Sequence, residues 1–137
     1  MVETREVFHR INIKRKEYFN ELLDVYDLTF MELEILAFLD GEPDSNTFTQ
    51  IMKAKDYAKS HVSTAINHLA NCGYLEKIGA STNKKVYRLH LLEKSAPVLQ
   101  GYYLCVQAFQ TQAFAGITDA DLQLFNQVIH QINQNLR

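Results

Sequence analysis

The chain has 137 residues, enough for one domain, or one domain plus dimerisation arms, whose core needs no disulfide or metal staple. Hydrophobic residues make up 47% and charged residues 22%, which excludes a disordered chain, and the formal net charge of −2, taken alone, argues against a nucleic-acid partner. The first ten residues are charged throughout and lack the apolar run of a secretion signal. The longest uncharged stretch, 95–118, holds Gln100, Gln107, Gln110 and Gln112, so it is not read as a membrane span. A cytoplasmic location without a membrane partner is expected. Cys72 and Cys105 stand at no metal-ligand spacing and are expected to be reduced and internal.

Phe8, Ile11, Phe19, Leu22 and Tyr26 recur at helical steps, predicting a first helix over 5–26. Three later helix starts share one signature: Thr29-x-x-Glu32, Thr47-x-x-Gln50 and Thr118-x-x-Asp121. In each, a threonine hydroxyl can accept from the third helical N–H while the later side chain reaches back. They predict helices over about 30–40, 48–54 and 119–136, the last cap being weakest because Asp is shorter than Glu. Another helix runs over about 57–72 and stops at Gly73, where glycine suits a left-handed position. The period then changes to two in 86–91, where Tyr87, Leu89 and Leu91 share one face, so this is a strand with 75–78 as its hairpin partner. The link 79–85 is small, polar and basic, as suits an exposed loop. Pro97 fits the first turn of an apolar helix over about 96–115. In the final helix Leu122, Phe125, Ile129, Ile132 and Leu136 form an a/d seam, expected to pair between subunits rather than within one.

Three helices followed by a hairpin make a winged helix-turn-helix, whose later helix lies in the DNA major groove. On that helix Ala58, Val62, Ala65, Ile66 and Leu69 form a stripe for the core, while Lys59, Ser60, His61, Ser63, Thr64, Asn67 and His68 lie off it. The outward set contains no acid. A solvated face usually mixes Glu with Lys, whereas a phosphate-facing one excludes carboxylates. Charge segregation points the same way. Residues 47–94 hold eight bases and three acids, a net of +5, and the remainder of the chain nets −7. The candidate DNA contacts are Lys59, Ser60, His61, Ser63, Thr64 and Asn67 in the groove, Lys84, Lys85 and Arg88 on the wing, and Thr47, Lys53 and Lys55 on phosphate.

The segment 28–39, Leu-Thr-Phe-Met-Glu-Leu-Glu-Ile-Leu-Ala-Phe-Leu, resembles the second helix of MarR-type transcription regulators. The run 58–75 resembles their recognition helix, ending in Leu69, a three-residue spacer and Gly73, and 116–122 is similar to the start of their last helix. The resemblance implies a fold that is mainly α with a small β-hairpin wing, a winged helix-turn-helix core flanked by N- and C-terminal dimerisation helices. It divides the chain into an N-terminal dimerisation helix (1–28), a DNA-binding core (29–92) and C-terminal dimerisation helices (93–137), together one intertwined domain. It further implies a homodimer, sealed by Phe8, Ile11, Leu122, Phe125, Ile129, Ile132 and Leu136, that binds double-stranded DNA at a pseudo-palindromic operator as a repressor. Release by a small-molecule effector is also implied. Two departures stand out. Relatives carry Asp-x-Arg at the wing tip where this chain has Asn83-Lys84-Lys85, and Leu-Thr where it has Leu91-Leu92. Lysine keeps the charge but lacks arginine's planar fork, so the wing is expected to bind mainly through charge.

The alternatives are a protein-interaction module without DNA binding and a metal- or redox-sensing member of the same family. An enzyme is not expected, since the sequence has no HExxH, glycine-rich phosphate loop or nucleophile elbow. No cofactor or metal is expected: His61 and His68, seven apart on one helix, stand about 10 Å apart along its axis. Cys72, near a helix C-terminus, meets a dipole that disfavours thiolate. The aromatics Phe8, Tyr18, Tyr102, Tyr103, Phe109 and Phe114 on the dimerisation helices are expected to be core, with a pocket for an apolar or aromatic effector as the alternative.

Overall fold

The computed structural model describes residues 2–79 and 87–137. Its elements, in chain order, are α1 (Val2–Glu17), α2 (Asn20–Tyr26), α3 (Phe30–Gly41), α4 (Phe48–Lys55), α5 (Lys59–Asn71), β1 (Leu75–Ile78), β2 (Arg88–Leu91), α6 (Ser95–Ala113) and α7 (Asp119–Asn135).

The capping boxes begin the helices expected of them. Thr29 and Thr47 each accept from the N–H three residues on, and Glu32 and Gln50 return the bond to the threonine N–H at 2.8 and 3.1 Å. At α7 only the first half forms: Thr118 accepts from the Asp121 N–H at 3.2 Å. α6 starts at Ser95, and its N-cap residue Lys94 makes no side-chain cap.

The single helix expected over 5–26 is two. The N–H groups of Tyr18 and Phe19 bond three residues back, to Arg15 and Lys16, tightening the chain into a turn. The break swings Phe19 inward, where it is 1% exposed and stacks on Tyr102 of α6 with ring centroids 5.3 Å apart. Aromatic burial therefore overrides continuous helical periodicity here. α6 lies so close to α2 that a Cβ on Gly101 would meet Leu22 Cδ1 at 2.5 Å.

The core gathers Leu33, Ile35 and Leu36 of α3, Ile51 of α4, Val62, Ile66 and Leu69 of α5, Leu75 and Leu89 of the hairpin, and Val98 of α6. Ala58 does not join it. As the N-cap of α5 it is exposed, because the stripe begins one turn later at Val62. The strands pair antiparallel, Leu75 opposite Leu91 and Lys77 opposite Leu89. Leu89 points to the core while Arg88 and His90 face out, as the alternation predicts. Asn46, just before α4, is buried and extends the sheet: its carbonyl accepts from the Leu89 N–H at 2.9 Å and its amide donates to the Leu89 carbonyl at 3.2 Å.

The terminal helices contribute little to this core. Val7, Phe8, Ile11 and Ile13 of α1 are exposed, α7 has no buried residue, and Phe125, Ile129, Ile132 and Leu136 are open to solvent. Apart from Leu122, which is half-buried, the seam does not pack on its own chain. Of the six aromatics expected to be core, Tyr102 packs against it within one chain and the other five do not join it. Phe8, Tyr103 and Phe114 are exposed and Tyr18, Tyr102 and Phe109 half-buried, because α1 and the end of α6 reach beyond the core. Both thiols are free and half-buried rather than internal. Among the described residues no helix is long and apolar enough to cross a membrane.

Candidate nucleic-acid interface

α5 sits with Val62, Ala65, Ile66 and Leu69 buried against α3 and β1. That geometry turns Lys59, Ser60, His61, Thr64 and Asn67 outward as exposed side chains, with Ser63 half-buried at the margin. The apolar stripe thus acts as a keel that fixes which residues face away. Thr64 is partly committed: its hydroxyl donates to the Ser60 carbonyl at 2.9 Å, as helical threonines do. His68, expected off the core stripe, is tied back to the protein through Glu32.

Asn67 is engaged as well. Its Oδ1 accepts from Lys77 of β1, and the same ammonium lies 5.1 Å from the centroid of the Tyr87 ring. A bidentate reading of adenine needs that oxygen as acceptor and the amide as donor. Lys77 therefore already engages the acceptor that such a reading would use. Sequence reasoning counted Lys77 only as charge. Its pairing across ten residues of chain follows from the hairpin folding back beside α5.

The flanking cations divide into two groups. Arg88 is exposed on β2, its guanidinium held by a 2.9 Å hydrogen bond from Nη1 to Asn46 Oδ1, and Lys53 is exposed on α4. Lys55 instead turns to α3, 3.8 Å from Glu34 and 5.9 Å from the Phe38 ring, so Coulomb attraction draws it off the outward face. Tyr57 donates to the same Glu34, and burial together with that carboxylate pushes its phenol well above the usual range. The Thr47 hydroxyl is spent on the cap, accepting from the Gln50 N–H and donating to Gln50 Oε1 at 2.9 Å. It is a structural group before it is a phosphate ligand. Lys84 and Lys85 lie outside the described residues. Among those described, no group of three or more His, Cys, Asp or Glu is placed to hold a metal ion.

Residues 28–94 match the family model described as "Winged helix DNA-binding domain". A MarR-family transcriptional regulator from Silicibacter pomeroyi superposes with a TM-score of 0.84 at 17% identity, over 98% of this chain and 90% of that one. MepR of S. aureus, solved as a DNA complex, gives 0.78 at 14% identity over 96% and 94%. A mutant MarR from E. coli complexed with operator DNA gives 0.75 at 16% identity over 96% and 94%. No curated protein matches the sequence. The fold class is thereby defined: residues 28–94 have the winged-helix fold. The whole chain, terminal helices included, has the MarR-type fold.

Proposed function

We propose that the protein is a homodimeric, MarR-type transcriptional regulator that occupies a pseudo-palindromic site on double-stranded DNA. The observation that carries this reading is the acid-free outward face of α5, standing off a rigid core with Arg88 and Lys53 beside it. Fixed negative charge on DNA selects for such a surface. In this reading Lys59, Ser60, His61, Ser63, Thr64 and Asn67 meet the major groove, and Arg88 with Lys84 and Lys85 holds the backbone beside it. Thr47 and Lys55 contribute less, being tied to Gln50 and Glu34. The partner subunit covers the exposed apolar faces of α1 and α7 and brings a second α5 to the adjacent half-site. Occupancy of a promoter by a rigid dimer blocks transcription, so repression is the mode. An apolar or aromatic effector would enter where the aromatics of α1 and α6 meet in the dimer.

Selection from a random DNA library with the purified protein tests the reading. Enrichment of a palindrome with half-sites about one helical turn apart is the expected result. Failure to enrich any sequence would overturn it.

A further inference from the structure

At the C-terminal end of α5 three side chains form one hydrogen-bonded chain. Glu32, in the first turn of α3, is 3% exposed. Its Oε1 accepts from the Thr29 N–H at 2.8 Å, and its Oε2 accepts from Nδ1 of His68. The other ring nitrogen of His68, Nε2, faces Sγ of Cys72 at 3.4 Å. A carboxylate can only accept, so Glu32 keeps the imidazole proton on Nδ1 and turns the Nε2 lone pair toward the thiol. Cys72 is free and half-buried, and an open recess lined by Glu32, His61, Thr64 and His68 reaches the imidazole. The helix dipole at this end disfavours a bare thiolate. The imidazole supplies an acceptor for the thiol proton, and the buried carboxylate steadies the imidazolium that forms.

We propose that Cys72 is a base-assisted nucleophile, a covalent-modification site for soft carbon electrophiles of the α,β-unsaturated carbonyl class. A sulfur lone pair forms an S–C bond at the β-carbon, and the C=C π pair moves onto the α-carbon. The thiol proton passes to Nε2 of His68 and from there to the α-carbon. The imidazole ends neutral, the product is a thioether, and no outside oxidant or leaving group is needed. His68 is the base, and Glu32 is a positioning residue acting through it. The site stands on this cluster alone and does not rest on the DNA-binding reading.

The full chain is treated with N-ethylmaleimide, and adducts at Cys72 and Cys105 are followed separately by peptide mass spectrometry. Burial pushes the Cys105 thiol up, so that residue is the slow internal reference. At neutral pH Cys72 should react faster than glutathione, and His68→Gln should slow it by at least about tenfold, the lower reach of general-base catalysis. Glu32→Gln should also slow it and move the rise of its pH–rate profile to higher pH, because the imidazolium loses its carboxylate partner. A glutamine at this position keeps the cap, as Gln50 does for Thr47. Reaction of the unaltered chain no faster than glutathione, a measurement independent of any variant's folding, would overturn the proposal. So would a His68→Gln rate within twofold of the parent.

Discussion

Asn67 and Lys77 show how one residue pair can set specificity. Lys77 is held internally by Asn67 and the Tyr87 ring. Lys77→Met should therefore alter base preference at the position Asn67 faces and leave the salt dependence of binding unchanged. Gel-shift titration over a salt series reads both, and a slope lower by about one unit would make Lys77 a phosphate ligand instead. Lys84→Ala with Lys85→Ala should flatten that slope by about one unit per lost contact, uniformly across sequences. Asn46 works on stability. It is buried and makes polar contacts to Leu89 and Arg88, so Asn46→Ala should cost about 1–3 kcal/mol in denaturant unfolding. Its importance was not legible in the sequence, since nothing local distinguishes Asn46 from a loop residue until β2 folds back against it.

Among the elements, the threonine caps were fully legible, because a cap is a contact between residues three apart and needs no tertiary partner. Thr29→Ala should destabilise by about 1 kcal/mol, and Thr118→Ala by less, since only one of its two bonds forms. Thermal unfolding of the two variants ranks them. The division of the first helix was not legible. Its cause is Tyr102, more than eighty residues away, which stacks on Phe19 and draws it inward. A second tie joins α6 to α3, where the Tyr103 hydroxyl donates to Asp40 at 2.6 Å. That bond, with burial, pushes the phenol up to about 12. Because the folded value lies above the ordinary 10.0, the stabilisation is complete below pH 10 and is lost as pH rises through about 12. Tyr103→Phe should flatten the alkaline fall in melting temperature between pH 10 and about 12.

For the whole molecule, the terminal helices decide the assembly that we propose. Phe125, Ile129 and Ile132 of α7 and Phe8 and Ile11 of α1 are open to solvent in the single chain, and exposed apolar surface of this kind marks an interaction site. In the proposed dimer that surface is covered. Ile129→Glu with Ile132→Glu should yield monomers by light scattering and abolish palindrome binding, while the winged-helix core keeps its helical circular dichroism. A dimer that survives both charges would place the interface elsewhere.

The sequence by itself determined the periodic and the local: the threonine-capped helix starts, the presence of the hairpin, the keel of α5 and the segregation of +5 within a chain of −2. Each depends on residues close in the chain or on a repeating step. The net charge misleads because it averages a basic domain with acidic surroundings. Only the tertiary structure decided which outward groups are spoken for: Lys55 by Glu34, Asn67 by Lys77, and His68 by Glu32 with Cys72 at its other nitrogen. Those pairings join residues 10 to 36 apart, apart from His68 and Cys72 within one helix end. Charge and hydrogen bonding act through space, and the folded path of the chain sets which groups come within their reach.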